Sequence, residues 1–247
     1  MKCALALILL MNFFGPRAVA QAPVKASKPI EKAPDKAADE ISAQSELVLK
    51  SLSERYEKLR NWKAKFTHNN MSTALGTTKF SEGDFVFSYP DRFRFSLNGP
   101  SEFSDFVSDG KQAWYVKYPK GRKSAAVVQQ FSNVKNLDLD KYLFLLKGLP
   151  TYTPQTRATL LKSFKITSRV TDKELTLVLE PKRSEDLVKV ELSFEQLKDY
   201  PSTALIADSL GGESTVKISD VVRLQKISAD EFVPKYPKDS RVEKVGN

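Results

Sequence analysis

Between Gly83 and Tyr115 the apolar residues fall on every second position. Phe85 and Phe87 are followed, across Tyr89-Pro90-Asp91, by Phe93, Phe95 and Leu97. That period belongs to strands with one apolar and one wetter face. Asp109-Gly110 is a hairpin signal leading into Trp114 and Tyr115. Trp62, Ala64 and Phe66 alternate in the same way upstream, so a first strand is expected there. So many aromatics on one strand face suggest either a surface built to hold something greasy or a core covered permanently by helices.

The period differs over residues 41–61, where Leu49, Leu52, Tyr56 and Leu59 lie three or four apart with Lys, Glu and Arg between them. This predicts an amphipathic helix of about five turns whose stripe needs a sheet to cover. After Tyr118-Pro119-Lys120-Gly121, residues 125–131 form another strand. Over 136–149 the pattern turns helical again. Asp138 is a candidate N-cap, Leu139, Tyr142, Leu143 and Leu146 share a face, and Gly148 with Pro150 ends the segment. A second short helix is expected over 154–162.

Strands then return over 164–170, 175–179, 187–194, 204–208 and 214–225, with turns at Thr171-Asp172-Lys173 and Gly211-Gly212. Such spacing predicts a mainly β chain, an antiparallel meander closing toward a barrel or sandwich. One domain is expected over 41–236, closed by Phe232-Val233-Pro234, with a flexible tail over 237–247.

The beginning of the chain is of another kind. Lys2, the apolar run 4–15, Arg17 and Ala18-Val19-Ala20 read as a secretory signal peptide over 1–20. The run is shorter than the ~20 residues that span a bilayer as a helix. Residues 21–40, rich in Ala, Lys and Pro, read as a disordered leader. Cys3 leaves with the signal and stands too early for a lipoprotein acylation site, so no disulfide, thiol nucleophile or lipid anchor is expected. Loss of Lys2 and Arg17 leaves 37 basic against 30 acidic residues, a formal +7. These charges are dispersed and show no Arg stripe with stacking aromatics, so nucleic acid is not an expected partner.

Candidate chemistry is sparse. The lone histidine, His68, has no zinc or Ser-His-Asp motif around it and reads as a strand residue near solvent. Asp109 and Asp220 read as turn or capping residues. Gly211-Gly212 has no helix after it and is a turn, not a phosphate loop. No catalytic residue, metal site or cofactor is expected. Arg92 and Arg94 alternate with Phe93 and Phe95 and so point to the opposite sheet face, either solvated or contacting a lid or partner.

Tyr56-Glu-Lys-Leu59, Trp62-Lys-Ala-Lys-Phe66, Gly83-Asp-Phe-Val-Phe, Pro90-Asp-Arg-Phe-Arg-Phe95 and Val107-Ser-Asp-Gly-Lys111 with Trp114 occur in order, and Phe232-Val233-Pro234 follows near the end. Together they resemble the periplasmic outer-membrane lipoprotein carrier family, LolA. The resemblance implies an incomplete antiparallel β-barrel, a half-barrel with an α-helical lid over a hydrophobic cavity. It places acyl-chain contacts at Phe85, Phe87, Phe93, Phe95, Leu97 and Trp114, and the lid at Leu139, Tyr142, Leu143 and Leu146. Where the family commonly carries Arg before the proline, this chain has Tyr89, the candidate lid latch. The implied function is a periplasmic chaperone, a monomer, that shields lipoprotein acyl chains between an inner-membrane lipoprotein-releasing ABC transporter and an outer-membrane receptor. The rival readings are the receptor itself, against which the missing acylation cysteine counts, an envelope sensor or regulatory binding module on the same fold, and, third, an enzyme.

Overall fold

The switch from helical to alternating apolar spacing near residue 60 sets the first two elements of the computed structural model. It describes residues 41–74, 76–100, 103–132, 152–183, 187–196 and 198–245. Helix α1 covers Ala43–Glu57, capped by Ser42, whose hydroxyl accepts from the Ser45 N–H at 3.1 Å. Val48, Leu49, Leu52 and Tyr56 form its buried stripe. The helix is shorter than the spacing over 41–61 predicts. Lys58 and Leu59 donate back to Arg55 and Tyr56 at 3.1 and 2.8 Å, a closing turn, and Asn61 already begins β1.

Strand β1 (Asn61–Ser72) buries Trp62, Ala64, Phe66, His68 and Asn70 on one face. Strands β2 (Thr77–Ser88), β3 (Arg92–Asn98), β4 (Phe103–Asp109), β5 (Ala113–Tyr118) and β6 (Val127–Phe131) follow as an antiparallel meander. At the β4–β5 hairpin Gly110 takes φ 92°, and Asp109 Oδ1 accepts from the N–H groups of Lys111 and Gln112 at 2.7 and 2.8 Å, the turn role expected of it.

Helix α2 (Pro154–Ser163) starts on a reciprocal Thr153–Thr156 capping box. A second meander runs through β7 (Phe164–Val170), β8 (Glu174–Pro181), β9 (Leu187–Glu195), β10 (Thr203–Asp208) and β11 (Glu213–Arg223).

Pairing of β1 with β11 joins the two meanders into one sheet, extended beyond β6 by β12 (Arg241–Val245), of order β12-β6-β5-β4-β3-β2-β1-β11-β10-β9-β8-β7. Its two end strands do not pair with each other, so the barrel is incomplete, as expected. Helix α1 lies against β7 and β8, and its Tyr56 ring meets Phe194 of β9 edge-on at 5.9 Å. The aliphatic half of the concave face is thus roofed by a helix.

Two expectations are corrected here. The segment 237–247 is not a loose tail over its whole length: Arg241–Val245 forms β12, parallel to β6. Its N–H and C=O groups complete a ladder that β6 would otherwise leave open. Asp220 is not in a turn but in a bulge of β11, at φ 51°, with Lys65 Nζ 3.3 Å away. Aspartate tolerates that left-handed backbone better than most residues.

The lid residues Leu139, Tyr142, Leu143 and Leu146, the signal peptide and the leader lie outside the described residues.

Candidate functional site: an aromatic concave face

Register, more than sequence distance, assembles the aromatic surface. Trp62 stands beside Phe87 and Phe87 beside Phe93. One row along, Ala64, Phe85, Phe95, Phe106 and Tyr115 align across five strands. The next row brings Phe66, Gly83 and Leu97 together. Direct cross-strand partners share a face, so all of these side chains point to the same side.

The rings touch. Phe85 lies 4.7 Å from Trp62 and 4.7 Å from Phe95 between centroids, and Phe93 lies 5.2 Å from Phe106. Phe66 meets Phe95 edge-on at 5.9 Å. These spacings fall in the range where aromatic pairs gain about 0.5–1.5 kcal/mol beyond burial.

Five of the six residues expected to contact acyl chains are therefore neighbours: Phe85, Phe87, Phe93, Phe95 and Leu97. Trp114 is not among them. It pairs with Val107 and packs with Phe103 against Val116, Tyr118, Ala126 and Val128 on the convex face. Its neighbour Tyr115 takes the concave side, because successive residues of a strand point to opposite faces. Trp62, Phe66 and Phe106 belong to the same wall. Trp62 and Phe66 were readable from the alternation in β1. Phe106 was not, because nearly every residue of β4 is buried on both faces.

Phe87 and Phe93 are 1% and 0% exposed, and Phe95 is half-buried. The wall is continuous with Leu49, Leu52 and Tyr56 of α1 and with Leu177, Leu179, Val190 and Leu192 of the other meander. In this conformation the aromatic face is packed core.

The candidate latch sits elsewhere. Tyr89 is half exposed at the β2–β3 turn, where the Tyr89–Pro90 bond is cis. The Arg60 guanidinium lies over its ring at 4.8 Å, and the Tyr89 N–H donates to the Arg60 carbonyl at 2.7 Å. Among the described residues, that arginine is what the ring contacts by cation–π stacking.

Arg92 and Arg94 do point away from the aromatics, but they are not a solvated face. Arg94 Nε and Nη2 donate to the carbonyls of Glu231 and Val233 at 2.7 and 2.6 Å. Arg92 lies over the Phe232 ring at 5.3 Å. Phe232, in the 3-10 turn Ala229–Phe232, is buried. Beneath them Asp105, also buried, receives Arg122 Nη1 at 2.7 Å, with Arg94 Nη1 at 3.8 Å. Tyr118 Oη stands 3.2 Å from Asp105 Oδ2 and 2.7 Å from the Lys235 carbonyl. Burial, with the Asp105 charge second, pushes this phenol up to about 12. The convex face is thus stitched to the carboxyl-terminal segment.

His68 is corrected too. It is buried on the concave side of β1, its Nδ1 3.4 Å from Ser81 Oγ and its Nε2 bonded to Ser214 Oγ. Burial lowers its pKa to about 4, which keeps the ring neutral near pH 7. The alternation Trp62, Ala64, Phe66 already places His68 on the inner face, and extending it two residues finds the site.

The chain leading into α2 is clasped to α1. Glu46 accepts from Arg157 Nε and Nη2 at 2.7 and 3.1 Å and from the Tyr152 hydroxyl, and the Tyr152 N–H donates to Ser53 Oγ at 2.9 Å. The Arg157 hydrogen bonds, then that of Tyr152, hold the Glu46 carboxyl below the usual range. Among the described residues no three His, Cys, Asp or Glu side chains gather as for a metal ion, and no helix is long and apolar enough to cross a membrane.

Comparison with curated protein sequences finds no match. Among solved structures, the chain is similar to the MucA/MucB complex of Pseudomonas aeruginosa, at 14% identity and TM-score 0.39, covering 78% of this chain and 62% of that one. It therefore spans less than two thirds of that neighbour. It is also similar to a LolA superfamily protein of Nitrosomonas europaea, at 14% identity and TM-score 0.38, covering 79% and 99% of the two chains. A third is a domain named for outer-membrane lipoprotein sorting from Vibrio parahaemolyticus, at 10% identity and TM-score 0.33, covering 76% and 97%. The family model "Outer membrane lipoprotein carrier protein LolA" matches residues 57–235. The chain belongs to the LolA family of outer-membrane lipoprotein carrier proteins.

Proposed function

We propose that the mature protein is a periplasmic carrier that holds the acyl chains of lipoproteins against the concave aromatic face. It takes them from an inner-membrane ABC transporter and delivers them to an outer-membrane receptor. What supports this reading is family membership over 57–235 combined with an unclosed sheet floored by Phe85, Phe87, Phe93, Phe95 and Leu97. Each methylene transferred from water gains about 0.8 kcal/mol, so one acyl chain offers on the order of 10 kcal/mol. A permanently open cleft of that strength would not release its cargo. A face that closes on itself competes with the cargo and makes release feasible. The lid role is assigned to the segment bearing Leu139, Tyr142, Leu143 and Leu146.

A second reading, an envelope sensor or regulatory binding module on the same fold, is favoured by the sealed state of Phe87 and Phe93. Purification of the mature chain from an envelope extract separates the two. The carrier brings down lipoproteins or extractable acyl chains and keeps a triacylated peptide soluble. A protein that stays free of lipid and lets the peptide aggregate is not a carrier.

A further inference from the structure

Two hydrogen-bond donors are sealed in the apolar interior without an acceptor among the described residues. The Tyr56 hydroxyl and the Trp62 indole Nε1 have no partner among the described residues. Tyr56 is 4% and Trp62 0% exposed. Other buried polar groups nearby are satisfied: His68 by Ser81 and Ser214, and Ser45 by Ser42 and Ser168. A buried donor left unpaired forfeits the hydration it had in the unfolded chain, and Phe at either position would avoid that cost.

The two donors flank the bend where α1 becomes β1. Tyr56 stands in the last turn of the helix against Phe194, and Trp62 is the second residue of the strand against Phe85. One therefore belongs to the helix-roofed half of the interior and the other to the aromatic half. An indole only donates, and burial raises the Tyr56 pKa so that its hydroxyl stays protonated. What such a site lacks is an uncharged oxygen acceptor carried by an apolar ligand. A free carboxylate would bring its charge into an apolar interior, which is far costlier.

We infer that Tyr56 and Trp62 donate hydrogen bonds to the carbonyl oxygens of ester- or amide-linked acyl chains, so that the site selects acyl over alkyl chains. The inference rests on the lipid-carrier reading above. Binding cargo then relieves a defect of the empty protein, and the linkage oxygens fix how deep the chains enter.

The test compares two probes on the full mature protein: a triacylated peptide, and its ether-linked counterpart with the same chain lengths and no chain carbonyls. The native protein is expected to favour the acyl probe by about fivefold or more. Tyr56→Phe, which removes one oxygen, and Trp62→Phe should each reduce that preference, read as the ratio of acyl to ether binding. Palmitate, the charged single-chain control, should bind more weakly than the acyl peptide. Equal binding of acyl and ether probes to the native protein overturns the inference and leaves the carrier reading standing. Binding of neither removes both. If Tyr56→Phe alters stability but not the preference, an internal water satisfies the hydroxyl and the inference fails.

Discussion

The Phe66 ring lies directly over Gly83: a Cβ on that glycine would stand 2.6 Å from Phe66 Cζ and 2.0 Å from the Ser96 carbonyl oxygen. The glycine lets one strand hold its aromatic flat across the next, where Phe66 reaches Phe95. Gly83→Ala is expected to destabilise the fold by about 1–3 kcal/mol, read by urea unfolding. Combined with Phe66→Ala, the two losses should add to less than their sum, but by only part of the Gly83→Ala loss, because the backbone oxygen of Ser96 remains in the way. Full additivity of the two losses would show that ring and glycine do not interact.

His68 predicts a pH dependence with a definite sign. Its folded pKa is lowered from 6.5 to about 4, so between those values the unfolded chain binds the proton and the folded chain does not. Stability is therefore full above the unfolded value and falls as pH drops toward the folded one, by up to about 3 kcal/mol. His68→Gln should flatten this part of the profile. An unchanged slope between pH 7 and 4 would place the proton uptake elsewhere.

Arg94 ties the carboxyl-terminal segment to the sheet. With its side chain only 13% exposed, Arg94→Ala should cost about 2–3 kcal/mol. It should also speed amide exchange or proteolysis within 229–245, ahead of the concave-face strands. Uniform loss of protection over the whole chain would mean that the segment is no separate unit.

The aromatic face itself separates structural from contact residues by exposure. Phe93→Glu would put a carboxylate in a fully buried position and unfold the protein instead of merely blocking a site. Phe95 is half-buried and packs against rings on both sides. Phe95→Ser is expected to lower acyl binding severalfold with a smaller loss of stability, and calorimetry beside a binding titration checks both.

Strand positions were legible because alternation is local. The spans 164–170, 175–179, 187–194 and 204–208 each fall within a strand, and the short helix at Pro154 lies where its proline signals it. The place of Trp114 is set by parity and not by its aromatic character: in that strand Tyr115, not its neighbour, shares the side of Phe106 and Phe95. The roles of Arg92, Arg94 and β12 were illegible for a different reason. They depend on a contact between residues more than a hundred positions apart, across a face that local pattern describes only as polar.

The measurement closest to the central claim is retention of a triacylated peptide by the purified protein, expressed without residues 1–20, in gel filtration. The carrier account predicts that peptide and protein elute together, and that Phe95→Ser weakens the association. Peptide that pellets at every protein concentration, while circular dichroism shows the sheet intact, would contradict it.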